Sequence, residues 1–324
     1  MSELADKIIT GNRRAVAKAI TLIESSRTDH QEKAQKLLNK LLPHTGKGLR
    51  LGLTGIPGVG KSTFIESFGK LLTGQGLKVA VLAVDPSSKI TGGSILGDKT
   101  RMEELARDPN AFIRPTPSKG TLGGIARYTR EAMMILEAAG YDVIIIETVG
   151  VGQSEVAVHD MVDMFLLLLS PGGGDELQGI KRGIMELADI VIINKADGDF
   201  ENAAGLAAGD VKNALHLMRQ KSENWVVKTL KTSAINNQGI DEVWQAVCDY
   251  KEAMQTSGEF DAKRAEQEID NIWKELNEFL TSEVKTRQKS EIKTLEKAVK
   301  DKSITPLEAA KTLYESLIKP VKKH

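Results

Sequence analysis

The feature that most constrains this chain is the run Gly55-Ile-Pro-Gly-Val-Gly-Lys-Ser62, which fits the pattern G-x-x-x-x-G-K-[ST]. It follows the apolar run Leu49–Thr54 and opens a helical pattern over Thr63–Leu72. A glycine-rich turn between a buried strand and a helix lets successive backbone N–H groups and the helix N-terminus face phosphate oxygens. The spacing therefore predicts a phosphate-binding loop made of Gly55, Ile56, Pro57, Gly58, Val59, Gly60, Lys61, Ser62 and Thr63. Lys61 is expected to bridge the β- and γ-phosphates, and the Ser62 hydroxyl to ligate Mg²⁺. A chance glycine-rich turn explains the loop but not the strand before it and the helix after it.

From Leu49 to about Tyr250, short apolar runs alternate with helical segments. The runs are Leu49–Thr54, Val79–Val84, Ala111–Arg114, Val143–Glu147, Met164–Leu169, Ile190–Ile193 and Val226–Thr229. Several are apolar on consecutive residues, as strands covered on both faces are. The predicted fold is α/β: a P-loop NTPase domain with a mostly parallel sheet over 47–256. Ahead of it, residues 1–46 read as two helices, with Val16, Ile20 and Ile23 on one face of the first and Ala34, Leu37, Leu38 and Leu41 on the second. After it, residues 257–324 read as a helical extension. There Ile269, Ile272, Trp273, Leu276, Phe279 and Leu280 recur at helical spacing, and a last helix opens at Thr305-Pro306 and stops before Pro320. This extension is expected to support a homodimer, with packing on the same chain as the plainer alternative.

Base specificity is predicted from Asn194-Lys195-Ala196-Asp197, which closes the run Ile190–Ile193. A carboxylate at Asp197 can accept from N1–H and the 2-amino group of guanine, a pair that adenine lacks. Lys195 can lie along the base, and Asn194 can tie this loop to the phosphate loop. Backbone N–H groups at Ser233, Ala234 and Ile235 are placed to reach guanine O6. Between these motifs lie the candidate switch and metal residues. Asp85 and Asp98 are candidate Mg²⁺ ligands, with helix capping as the plainer role for Asp98. Glu147-Thr-Val-Gly150 resembles a D-x-x-G element with Glu for Asp. Gly150 N–H is then expected at the γ-phosphate, Glu147 at a metal-bound or attacking water, and Gln153 beside the nucleophile. Gln153 equally suits the first position of a helix.

Bulk properties narrow the partners. Lys+Arg and Asp+Glu both number 44, so no basic excess points to nucleic acid. No apolar run approaches the roughly 18 residues of a membrane helix. The start shows neither a signal-peptide core nor an Arg-rich transit pattern, and Cys248 is the single cysteine. A cytoplasmic protein is expected, without nucleic-acid or membrane partners.

With these residues assembled, the chain resembles the MeaB-type family, GTPases associated with methylmalonyl-CoA mutase and also called the ArgK family, of the SIMIBI class of P-loop GTPases. The resemblance covers nearly the whole chain, from Gly11–Glu24 to the helical C-terminus. It is most specific at Gly55–Thr63, Asp85–Met102, Thr116–Gly124, Glu147–Glu155 and Gly172–Gly183. It implies a GTP-hydrolysing chaperone of a cobalamin-dependent acyl-CoA mutase, which gates adenosylcobalamin loading and protects the mutase from inactivation. It also implies a homodimer built with the C-terminal extension, and an additional switch at Asp175–Arg182.

Rival readings remain. A metal-delivery GTPase of the hydrogenase- or urease-maturation kind needs clustered soft or imidazole ligands. Here His30, His44, His159, His216 and His324 are scattered. A small-molecule kinase linked to amino-acid transport needs an acceptor pocket and a base, which no segment announces. A scaffold with a vestigial site does not need Lys61, Ser62, Asp85 and Glu147 together.

Overall fold

The computed structural model describes residues 2–84, 102–116, 122–148, 154–171 and 182–318. The chain forms two compact units, Met1–Arg264 and Ala265–His324.

In the first unit, seven strands form one sheet: β1 (Leu49–Gly55), β2 (Val79–Val84), β3 (Ala111–Thr116), β4 (Val143–Thr148), β5 (Met164–Leu169), β6 (Ile190–Ile193) and β7 (Lys228–Lys231). Their order is β3-β2-β4-β1-β5-β6-β7, and each ladder is parallel. Strands β2, β4, β5 and β6 are buried at every position, which is why β2, β5 and β6 read as unbroken apolar runs and β4 is apolar up to Glu147. Side chains alternate across the sheet. Leu51 and Leu53 of β1 enter one core with helix α4 (Lys61–Gly74). Gly52 faces the opposite way, where an added Cβ would stand 2.7 Å from the Phe165 ring. That close approach requires glycine.

The opposite face is covered by α1 (Ser2–Ile9), α2 (Arg13–Ile23) and α3 (Thr28–Leu41), together with the helix over Leu122–Ala138. Val16, Ile20, Ile23, Ala34, Leu37, Leu38 and Leu41 are all buried there. The expected pair of N-terminal helices is thus a trio. The additional α1 buries only Ala5 and Ile8, too few positions to make a periodic signal. The last strand also differs, running Lys228–Lys231 rather than Val226–Thr229. Its register is set by pairing Lys228 with Ile190 through Lys231 with Ile193, and Val226 is left exposed. An edge strand needs ladder bonds on one side only, so its apolar content marks it poorly.

The second unit holds most of the long helix Glu259–Arg287, then helices over Lys289–Lys300 and Pro306–Ile318. Thr305 Oγ1 accepts from Glu308 N at 3.2 Å, capping the last of these. The helix Lys289–Lys300 buries no side chain, and the apolar spacing did not announce it.

Candidate active site

The loop after β1 turns on three glycines with positive φ: Gly55 at 156°, Gly58 at 84° and Gly60 at 92°. Side chains would be strained at all three. Two are also sterically closed. A Cβ on Gly55 would lie 2.5 Å from Leu168 O, and one on Gly60 would lie 2.8 Å from Asn194 Nδ2. Gly60 leads directly into α4, so Lys61, Ser62 and Thr63 occupy the first helical turn. Backbone N–H groups at this end have no partner inside the helix and carry its positive dipole end.

Lys61 Nζ donates to Gly55 O at 2.6 Å and to Ile56 O at 3.2 Å. Burial pushes its ammonium pKa down, and the negative charges of Glu147 and Glu155 oppose that shift. Glu147 is next to last in β4 and is 5% exposed, while Glu155 lies on the helix Ser154–His159 and is fully buried. Next to Glu147, Thr148 Oγ1 lies 2.8 Å from Thr54 Oγ1, locking β4 against β1 just before the loop. One cation and two carboxylates thus share a largely dry region, where charge interactions are stronger than in water.

A second group of bonds joins the other two loops to the first. Asn194, 1% exposed, donates from Nδ2 to Val59 O at 3.0 Å. Its Oδ1 accepts from Thr232 Oγ1 at 3.1 Å and from Ala234 N at 3.3 Å. A single amide therefore fastens three loops. Lys195 reaches back to Gly58 O at 2.7 Å from a backbone φ of 59°, and Ala196 N donates to Thr232 O at 2.9 Å. Ser67 of α4 donates to Ala234 O at 2.6 Å, tying the phosphate-loop helix to the same strap. Asp197 is half-buried, and its side chain makes no capping bond to the turn Gly198–Phe200 that it precedes. Ser233 N donates to Gln238 O, and Ala234 N to Asn194, so two of the three amides expected at guanine O6 are engaged by the protein. Ile235 is 73% exposed.

The structure thus brings together Gly55–Thr63, Asn194, Lys195, Ser233 and Ala234, with Glu147 close enough to Lys61 to bias its protonation. Asp85, Asp98, Gly150 and Gln153 lie outside the described residues, as do residues 172–181 of the expected additional switch. Glu155, Ser67 and Thr148 were not singled out by motif reasoning. Glu155 stands in the first turn of a helix, where an acid reads as dipole decoration, and only its burial beside Lys61 marks it.

An all-parallel sheet with a glycine loop running from its first strand into a helix defines a P-loop nucleotide-binding protein. The chain belongs to the MeaB family of GTPases: the family model "Methylmalonyl Co-A mutase-associated GTPase MeaB" matches residues 16–289. GTPase ArgK of Escherichia coli is 51% identical over 278 residues, covering 86% of this chain and 84% of that protein. The mitochondrial methylmalonic aciduria type A homolog of Mus musculus is 49% identical over 321 residues, covering 95% of this chain and 77% of that protein. A solved structure described as a LAO/AO transport system kinase is 40% identical, with a TM-score of 0.78, covering 98% of this chain and 97% of that one. The chain is accordingly a guanine-nucleotide-binding GTPase. Among the described residues, no helix is long and apolar enough to cross a membrane.

Proposed function

We propose that this GTPase uses the loops fastened by Asn194 to hold GTP with Mg²⁺, and that hydrolysis there controls a cobalamin-dependent acyl-CoA mutase of the methylmalonyl-CoA mutase type. The observation that carries the nucleotide part is the amide of Asn194, which makes the phosphate loop and both base loops one rigid unit. Preorganised donors of this kind stabilise charge without rearranging during reaction. Lys61 is the phosphate-facing cation, and amides of the first turn of α4 orient the triphosphate. Asp197 reads guanine, Glu147 holds water near the γ-phosphate, the Gly150 N–H binds that phosphate, and Gln153 orients the nucleophile. Mg²⁺, when bound, neutralises charge between the β- and γ-phosphates. Ser62, Asp85, Asp98 and Glu147 would hold it or its waters. An oxygen-only set of one hydroxyl and carboxylates suits a hard cation that keeps several waters.

The mutase part is supported by the family description and by the name of the mouse relative. In this reading, GTP binding and hydrolysis gate adenosylcobalamin loading and protect the mutase, with Asp175–Arg182 reporting the nucleotide state. The exposed stripe Ile269, Ile272, Trp273, Leu276 and Phe279 then serves a homodimer. The test mixes the protein with the acyl-CoA mutase of its own organism and measures GTP turnover with and without it. Asp175→Ala and Lys181→Ala should reduce the stimulated rate and spare the intrinsic one. A mutase that neither binds nor alters turnover with any nucleotide removes the chaperone role and leaves the GTPase. Light scattering that returns the mass of one chain at micromolar concentration removes the dimer.

The solved relative is itself described as a kinase, which favours one second reading, transfer of phosphate to a small molecule. Tracing the γ-phosphate decides it: GTP hydrolysis releases free phosphate, whereas a kinase leaves it on an acceptor.

A further inference from the structure

A cleft of about 390 Å³ lies along edge strand β7, and no residue of the phosphate loop or the base loops lines it. Its volume falls within the roughly 300–1,000 Å³ of small-ligand sites. The wall is apolar where Met185, Ala188, Leu215, Met218, Val227 and Leu230 meet. Leu215, Met218 and Val227 are only partly covered by the core that they join.

The rim is cationic. Lys212 and His216 stand four residues apart on one face of the helix Glu201–His216, and Arg219 follows just past its end. Lys221 completes the row, held in place by Asp189 and by a 2.8 Å bond to Leu187 O. Glu186 is the one carboxylate among the lining residues. Lys212, Arg219 and Lys221 are the cations of this row, and attraction to the negative end of a helix accounts for one or two of them. It does not account for a row of them bordering a recess with an apolar wall. Lys212, His216 and Arg219 are exposed, and among the described residues no carboxylate forms an ion pair with them. A recess with an apolar wall and a cationic rim matches a ligand with an apolar body and an anionic head.

We propose that this cleft binds a small amphipathic anion, its chain against Leu215, Met218 and Val227 and its carboxylate or phosphate between Lys212 and Arg219, beside the Asp189-paired Lys221. The site is independent of the nucleotide reading.

Met185 and Met218 supply a direct probe. The full chain, loaded with GDP and labelled at its methionine methyl groups, is titrated by NMR with octanoate and, in a parallel arm, octyl phosphate. The Met185 and Met218 signals should move to saturation, while those of Met164 and Met254, buried in another core, should stay. The arm that saturates at lower concentration identifies the head group. Lys212→Glu combined with Arg219→Glu should raise the midpoint about tenfold or more by reversing charge at the rim. Lys36→Glu with Lys40→Glu, exposed on α3, makes the same change in net charge and should leave the midpoint in place. The proposal is overturned if neither probe moves Met185 and Met218, or if both double variants weaken binding equally. It is also overturned if the two methyls respond only to an acidic extended peptide such as Glu-Val-Glu-Val-Glu, which would make the β7 edge a strand-pairing site.

Discussion

At the amino ends of β1 and β5, charged side chains are buried and matched to one another, whereas Lys61 and Lys195, beyond the carboxyl ends of β1 and β6, are held by backbone carbonyls. Arg50 grips Glu137 through two bonds of 2.9 and 3.0 Å. Arg264 grips Asp163 through two bonds of 2.7 and 2.6 Å. The side chains of Glu137 and Asp163 are 0% and 1% exposed. Their remaining capacity is used by Gly46 N and Arg50 N, and Arg264 also donates to Gly46 O and Gly48 O. This set pins the first turns of the helix Glu259–Arg287 beneath the sheet. At the other end, a neutral amide, Asn194, does the fastening, and Lys61 rests on backbone carbonyls. A fully matched buried ion network stabilises one arrangement; a cation bonded to carbonyls is readily handed to a phosphate. Here the paired buried charges belong to the architecture, whereas Lys61, bonded to carbonyls with Glu147 and Glu155 nearby, belongs to the candidate site.

The largest expected effect lies at the architectural end. Asp163→Ala removes both carboxylate bonds of the buried Arg264, leaving it Glu137 at 4.0 Å and two carbonyls, and should lower unfolding free energy by about 3 kcal/mol. Urea unfolding measures it, and GTP affinity of the folded variant in the cold should match wild type. A loss below about 1 kcal/mol would erase the contrast between the two ends.

Next comes the chemical end. Lys61→Ala should weaken GTP binding and hydrolysis together, because its charge serves ground and transition states alike. Glu147→Ala should slow turnover by about 10²-fold, roughly 3 kcal/mol, with GTP still bound. Single-turnover kinetics with calorimetry separates the two, and equal losses of affinity would make Glu147 structural.

Asp197→Asn should cost on the order of 3 kcal/mol in GTP affinity and improve binding of xanthosine triphosphate, whose base presents the complementary pattern. Wild type binding ATP as tightly as GTP in a calorimeter would overturn this assignment. The smallest effect is expected at Gly60→Ala. A methyl there meets Asn194 Nδ2 at 2.8 Å with φ at 92°, costing about 1–2 kcal/mol. Pairing it with Asn194→Ala should give less than the sum of the two losses, because the clash disappears with the amide.

How much was legible follows from how locally each feature is made. Strands β2, β5 and β6 match the apolar runs residue for residue, because a strand covered on both faces must be apolar throughout. The glycine loop was legible because its geometry depends on missing side chains at fixed spacing. Edge strand β7 was misplaced by two residues, since its partner β6 sets its register.

The sequence by itself therefore determined the α/β class, the phosphate loop between β1 and α4, and the family, all of which rest on contiguous residues. The motif tied Asn194 to the phosphate loop, but only the tertiary structure decided that its other amide atom also takes in Thr232 and Ala234, 38 and 40 positions away. It also decided that Glu155 is buried beside Lys61, and that Arg264 closes an ion network with Asp163, 101 positions earlier. A Glu or an Arg on its own reads as a solvated polar residue. What turns each into a field or an anchor is removal from water by distant segments, and a linear pattern does not record that.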